Sequence, residues 1–125
     1  MSENQLTFKE MCARFDVTPR TLRYYEYIEL LTPDKDGRTR SYGPREVARM
    51  VLILRGRRFG FSLEEIRQWL EIYEQKGDRR QMEVWIEGAD RQLDALAKQR
   101  QQLDESILEL QELRDDAADA LMLTK

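Results

Sequence analysis

Between residues 82 and 121 the chain repeats a side-chain stripe at alternating spacings of four and three: Met82, Ile86, Ala89, Leu93, Leu96, Arg100, Leu103, Ile107, Leu110, Arg114, Ala117 and Leu121. A strand turns over every second residue and cannot keep such a stripe on one face, whereas an α-helix can. No proline follows Pro44, and Gly88 is the one glycine beyond Gly77. The pattern therefore predicts one long helix over about residues 79–115, carrying roughly five heptads, with a short tail after it. Thirty-odd helical residues span about 50 Å at 1.5 Å each. Nothing else in the chain is long enough to cover that stripe, so a second copy is the expected partner. Ile86, Ala89, Leu93, Leu96, Leu103, Ile107 and Leu110 are the candidate dimer contacts, with polar rungs at Arg100 and Arg114.

The rest of the chain must fold with little material. Charged residues make up 36% of 125 positions and the hydrophobic set 41%. One small domain plus an extension fits this better than a thick enzyme core. The division expected is 1–75 for the domain and 76–125 for the helix and tail, with "EQKGDRR" at 74–80 as the polar break. No apolar run is long enough to cross a bilayer, and "MSENQLTFKE" has no export-signal pattern. One cysteine, Cys12, and no histidine suit a reducing cytoplasm and remove most metal-ligand and nucleophile–base arrangements. No phosphate-cradling glycine loop is present. Neither an enzyme nor a bound cofactor or metal is expected.

Net charge of −3 conceals a split. Residues 1–80 carry 16 Lys+Arg against 13 Asp+Glu, and residues 81–125 carry 5 against 11. A basic front and an acidic back imply a polyanion that meets the front only.

The front reads as short helices. Thr7 with Glu10 is a capping box opening a first helix, on which Phe8, Met11, Cys12 and Phe15 follow helical spacing. Thr18 as N-cap and Pro19 at the first helical position open a second, running to about Glu29. Two helices joined by so short a turn make a helix-turn-helix candidate. Next, "TPDKDGRTRSYGP" is rich in turn formers and its "RTRSY" alternates, which predicts a two-stranded hairpin. A third helix starts near Pro44 with Val47, Met50, Val51 and Leu54 inward, and Gly60 stops it. Ser62 with Glu65 opens a fourth, with Leu63, Ile66, Leu70 and Tyr73 inward. Trp69 and Trp85 lie in helical stripes and suit packing, with a small pocket beside Trp85 as the alternative.

Three basic clusters fall where this layout would project them: Thr18, Arg20, Thr21, Arg23 and Tyr24 at the second helix's start; Arg38, Arg40 and Tyr42 on the hairpin; Arg55, Arg57 and Arg58 at the third helix's end. A single basic helix face is ordinarily solvated surface. Three such clusters are better explained by duplex DNA, whose phosphates need cations and whose groove edges need donors.

Taken together, "TPRTLRYYEYIELL", "RTRSY" and "LILRGRRFGFSLEEIRQWLEIY" resemble the DNA-binding half of the MerR family of bacterial transcription regulators, over residues 5–74. The resemblance implies a mainly α fold: a winged helix-turn-helix followed by a long antiparallel coiled-coil dimerisation helix. It also implies a homodimer on a pseudo-palindromic promoter site, regulation by DNA distortion, and RNA polymerase as a partner at the promoter. Arg23 is then the candidate for base contact, and Thr18, Arg20, Tyr24, Arg40, Tyr42, Arg57 and Arg58 for phosphate or groove contact. Two departures stand out. Glu29 occupies a position where the family usually has glycine, so a slightly different turn is expected there. No cysteine follows Cys12, which argues against thiolate-held metal as the signal; the short tail argues against a large effector domain. The motifs resemble most the subgroup governing branched-chain amino acid and fatty acid breakdown. The alternatives are an architectural, phage-type DNA-bending protein and a coiled-coil interaction module.

Overall fold

The computed structural model describes residues 5–75 and 77–124. It contains a strand β1 (Leu6–Thr7), helices α1 (Phe8–Phe15) and α2 (Pro19–Tyr27), strands β2 (Asp34–Asp36) and β3 (Thr39–Tyr42), and helices α3 (Pro44–Phe59), α4 (Leu63–Gln75) and α5 (Arg79–Leu123). Helix starts are set by local chemistry. The Thr7 hydroxyl accepts from the Glu10 N–H at 3.1 Å while Glu10 returns a bond to the Thr7 N–H at 2.9 Å. Ser62 and Glu65 repeat the device for α4 at 3.1 and 3.0 Å. Each box satisfies two backbone donors that the first turn would otherwise orphan. A third box, unread in the sequence, opens α5: Asp78 accepts from the Gln81 N–H at 2.7 Å and Gln81 from the Asp78 N–H at 2.9 Å.

The expected two-stranded hairpin is a three-stranded antiparallel sheet, in order β1-β3-β2. Leu6 pairs with Tyr42 and Thr7 with Ser41, while Asp34, Lys35 and Asp36 pair with Ser41, Arg40 and Thr39. A strand of two residues shows no alternation, which is why the sequence did not disclose β1. Gly37 opens the two-residue loop at φ 64, a left-handed value that glycine adopts without a Cβ clash.

A small core ties the front together. Met11 of α1, Leu22 and Tyr25 of α2, Leu30, Leu31, Met50, Ile53, Ile66 and Leu70 are buried. Burying a side chain of this size contributes about 1.5–3 kcal/mol, before conformational entropy is set against it. Helices α3 and α4 approach closely at Gly56, where a Cβ would come within 2.8 Å of Ile66 Cγ1. Helix α3 is packed on more than one side: Leu52 and Ile53 are buried with Met50, whereas Val51, expected inward, is exposed. Tyr73 is likewise exposed, against expectation. The buried stripe of α4 consists of Ile66 and Leu70, and one turn beyond it Arg45 and Arg49 of α3 hold the Glu74 carboxylate at 2.9 and 2.8 Å.

That ion network also fixes the segment leading to the sheet. Arg49 Nε donates to the Leu30 carbonyl at 2.8 Å, and the buried Glu46 carboxylate accepts from the Thr32 N–H at 3.2 Å. At Glu74, burial raises the carboxyl's pKa, but the hydrogen bond and charge of Arg49, joined by Arg45, outweigh it and leave the group below the ordinary glutamate value. Glu29 takes the left-handed conformation, φ 64, that glycine would take. The turn therefore keeps its path, at a cost of about 1–2 kcal/mol for a residue with a Cβ.

The chain divides into two compact units, the first ending at Trp85 and the second beginning at Ile86. Within the first, Phe59, Phe61, Trp69 and Trp85 form an aromatic cluster, with the two tryptophan rings stacked at 6.3 Å. The second consists of the remainder of α5. Helix continues past residue 115 to Leu123, since Ala117, Ala118, Ala120 and Leu121 are strong helix formers. Leu93, Leu103, Ile107 and Leu110 on the stripe are each more than half exposed. No helix among the described residues is long and apolar enough to cross a membrane.

Candidate nucleic-acid interface

Helix α2 presents two different faces. Leu22 is fully buried and Tyr25 nearly so, which seats the helix on the core. Arg20 and Arg23 face outward, with Tyr24 half exposed and Tyr27 83% exposed. The start is pinned by Thr18, whose hydroxyl accepts from the Thr21 N–H at 3.1 Å and lies 3.0 Å from the Thr21 hydroxyl. Both threonine side chains are thus engaged in the cap. The far end is held by Arg67 of α4, which donates to the Ile28 carbonyl.

Arg20, Arg23, Tyr24 and Tyr27 converge with Arg57 on an open groove of about 630 Å³. Three guanidiniums and two phenols along one concave surface can neutralise phosphates and present donors to base edges. Tyr27 and the apolar Leu63, which also lines this groove, were not among the sequence candidates. Tyr27 stands four residues after Arg23 and seven after Arg20, so helical spacing could have disclosed it.

The second cluster is built differently. Arg23 and Arg40 lie over the same ring, that of Phe8, at 5.3 and 5.7 Å from its centroid. Half-buried on the apolar stripe of α1, Phe8 serves as a shelf for two cations. Arg40 also lies 3.6 Å from Glu26 of α2. It is therefore held between α2 and the sheet rather than free in solvent.

Tyr42 requires a correction. Placed in the sequence among outward groove contacts, it is fully buried, and its hydroxyl donates to the Glu26 carboxylate. Burial, then the Glu26 hydrogen bond and charge, push its pKa well above the ordinary tyrosine value, with Arg40 opposing. The reason lies in how β3 packs: the strand lies against α1 and α3, and the Tyr42 side chain turns to that side, where Glu26 of α2 receives its hydroxyl. Tyr42 is a strut, not a contact.

Arg38 is exposed in the hairpin loop. Arg55, Arg57 and Arg58 are all exposed on α3, and of these Arg57 reaches the groove while Arg58 lies over the Phe59 ring at 5.8 Å. Cys12 is half-buried; burial raises its thiol pKa, Glu26 adds to this and Arg23 opposes it. Among the described residues, no group of His, Cys, Asp and Glu could hold a metal ion.

Similarity to known proteins follows the same outline. Residues 6–72 match the family described as MerR HTH family regulatory protein, and residues 47–116 the one described as MerR, DNA binding. The HTH-type transcriptional regulator HmrR of Rhizobium leguminosarum bv. viciae is 36% identical over 106 residues, spanning 84% of this chain and 75% of the relative. The crystal structure of a MerR family transcriptional regulator from Bacillus cereus superposes with a TM-score of 0.66 at 26% identity, covering 86% of this chain and 78% of that one. HiNmlR, a MerR family regulator lacking the sensor domain and crystallised on promoter DNA, shares the fold at TM-score 0.64 and 20% identity, over 82% of this chain and 78% of its own.

Proposed function

Because the chain belongs to the MerR family of helix-turn-helix regulators, we propose that it binds promoter DNA as a homodimer and controls transcription by distorting a pseudo-palindromic site. Residues 1–75 serve as the DNA-binding half and residues 76–125 as the dimerisation half. The observation that carries this reading is the convergence of Arg20, Arg23, Tyr24, Tyr27 and Arg57 on one open groove beside a capped helix start. Arg23 reads bases, while Arg20, Tyr24, Tyr27 and Arg57 bind backbone. Thr18 and Thr21, whose hydroxyls serve the cap, position α2 so that its first turn meets the groove. The sheet, with Arg38 at its tip and Arg40 beside α2, lies along the flanking phosphates as a wing, and Arg55 and Arg58 extend the basic surface. The protein acts in the cytoplasm, where promoter DNA and RNA polymerase meet. The donor inventory, with no histidine and no cysteine beyond Cys12, favours a signal other than thiolate-held metal.

Fluorescence anisotropy against duplexes from the region upstream of the protein's own coding sequence, compared with shuffled duplexes across a salt series, tests this. Expected is tighter binding to one native duplex and a log–log salt slope of several units. Equal, salt-insensitive affinity for all duplexes would favour the interaction-module reading. Tight binding to a site remote from any promoter would favour the DNA-bending one.

A further inference from the structure

Glu26 is the one acidic residue on α2, and it stands between the buried Tyr25 and the groove-lining Tyr27. A carboxylate beside a surface that meets phosphates repels them, so its presence there needs a reason. Its side chain is only 11% exposed, and a charge so placed is costly unless it is paired and hydrogen-bonded. Its two oxygens have different partners. One accepts from the hydroxyl of the buried Tyr42, and the other faces Arg40 Nε at 3.6 Å.

Tyr42 alone does not account for the charge. A neutral glutamine would accept the same hydroxyl without setting a negative charge beside DNA. What a carboxylate adds is its attraction for Arg40. Arg40 and Tyr42 stand two residues apart on β3 and share one face of the sheet, whereas Ser41 between them turns to the other face and donates to Gln5 at 3.0 Å.

The surroundings of Arg40 are otherwise positive. It stands opposite Lys35 in the β2–β3 register, and Arg23 lies over the same Phe8 ring. Like charges directly opposed across two strands destabilise the pair. Among the described residues, Glu26 is the one carboxylate within ion-pair distance of Arg40. Released from it, the guanidinium would be driven outward by Lys35 and Arg23, toward any polyanion. Glu26 engages only the Nε edge, and the Arg40 side chain remains 34% exposed. The terminal nitrogens can therefore meet a phosphate without leaving the carboxylate, provided that the phosphate lies at the flank of α2.

We propose that Glu26 is a specificity-determining positioning residue: it ties Arg40 to α2, so that this cation reaches a phosphate where α2 is seated on its own site and is withheld from DNA on which α2 is not seated. Glu26 thus sharpens discrimination by lowering affinity for unspecific duplex, without touching a base. This rests on the DNA-binding reading above. The test uses the full chain with Glu26→Gln, which keeps an acceptor for Tyr42 and removes the charge, in the anisotropy salt series on specific and shuffled duplexes. On shuffled duplexes the log–log salt slope should steepen by about one unit, the contribution of one added phosphate contact. The specific duplex already engages Arg40 and gains no such unit, so the ratio of specific to shuffled affinity falls. Adding Arg40→Gln should return the shuffled slope to that of the parent, a reversal that a merely structural role for Glu26 would not produce. A steeper slope that survives Arg40→Gln would mean that the lost charge acts on the surface at large. An unchanged slope would mean that Glu26 does not restrain Arg40, and either result overturns the proposal. If urea titration shows that Glu26→Gln does not fold, Arg40→Gln alone decides. Its expected effect is a loss of about one unit of slope on the specific duplex and none on the shuffled one; equal loss on both contradicts the proposal. A parent protein that does not distinguish the duplexes overturns the DNA-binding reading itself, which keeps the two failures apart.

Discussion

The Arg23 guanidinium lies over the Phe8 ring, 5.3 Å from its centroid, so the arginine at the front of α2 is oriented by the helix before it. Arg40 approaches the same ring from the sheet. The pair would repel in isolation; the ring's negative face and the carboxylate of Glu26 hold it in place. Helix α2 and the sheet are thereby aligned through one aromatic side chain.

Phe8→Leu keeps apolar bulk and removes the π face. Its expected effect is a loss of about 0.5–1 kcal/mol on the specific duplex, the size of an exposed cation–π contact. Phe8→Tyr should retain most of the affinity. Anisotropy on specific and shuffled duplexes checks this, and an equal loss on both would show that the ring does not orient Arg23 toward bases.

Arg23→Ala and Arg57→Ala should part company. The first is expected to cost about 1–3 kcal/mol on the specific site and relax preference at one base position per half-site. The second should weaken all duplexes similarly and shallow the salt slope by about one unit. A binding-site selection with each variant, together with a salt titration, distinguishes them. If both variants only shift the salt slope, Arg23 touches phosphate and no base.

Tyr42→Phe tests the burial of a residue whose sequence context suggested a surface role. Deleting the hydroxyl leaves Glu26 without that donor and should destabilise the fold by about 1–3 kcal/mol. The DNA salt slope should stay unchanged, because Tyr42 meets no phosphate. The raised tyrosine pKa adds a pH signature. An acid held above its unfolded value contributes stability that is full below the unfolded pKa and is lost as pH rises beyond it. Urea unfolding above about pH 10, the ordinary tyrosine value, should therefore show a decline that Tyr42→Phe lessens. An altered salt slope with unchanged stability would return Tyr42 to the surface.

Glu74 gives the opposite sign. Its pKa is lowered, so its stabilisation is present above the ordinary glutamate value and is lost as pH falls through the folded one. Glu74→Gln should destabilise the protein at neutral pH and reduce the stability lost on acidification. Urea titrations at pH 7 and pH 4 measure both. An acid limb identical to that of the parent would mean that the Arg45–Arg49–Glu74 network does not couple α3 to α4.

Much of this arrangement was legible in the residues. Capping boxes at Thr7 and Ser62, the Thr18–Pro19 start and the four-three stripe each announce a helix through local chemistry that tertiary packing does not override. The inward Leu22 and Tyr25 and outward Tyr24 followed from spacing alone. What was hidden depends on partners distant in sequence. Strand β1 is too short to show alternation, and nothing near Tyr42 in sequence reveals that Glu26 receives its hydroxyl. Tyr73 was misplaced because helical spacing extends the apolar stripe past Leu70, where α4 instead meets Arg45 and Arg49 of α3 through Glu74. Glu29 shows the reverse: its side chain argued for a different turn, yet Arg67 on Ile28 and Arg49 on Leu30 hold the backbone in the left-handed path. Spacing placed Phe8 on the apolar stripe of α1, but nothing local reveals that two arginines from other elements share its ring.

Selection of bound fragments from fragmented genomic DNA, using the intact protein at physiological salt, bears most directly on control of transcription by a dimer reading two half-sites. Expected is enrichment of one pseudo-palindromic motif located in promoters, protected symmetrically about its centre and lost with Arg23→Ala. A bound pool with no shared motif, or a motif with a single unrepeated half, would contradict it.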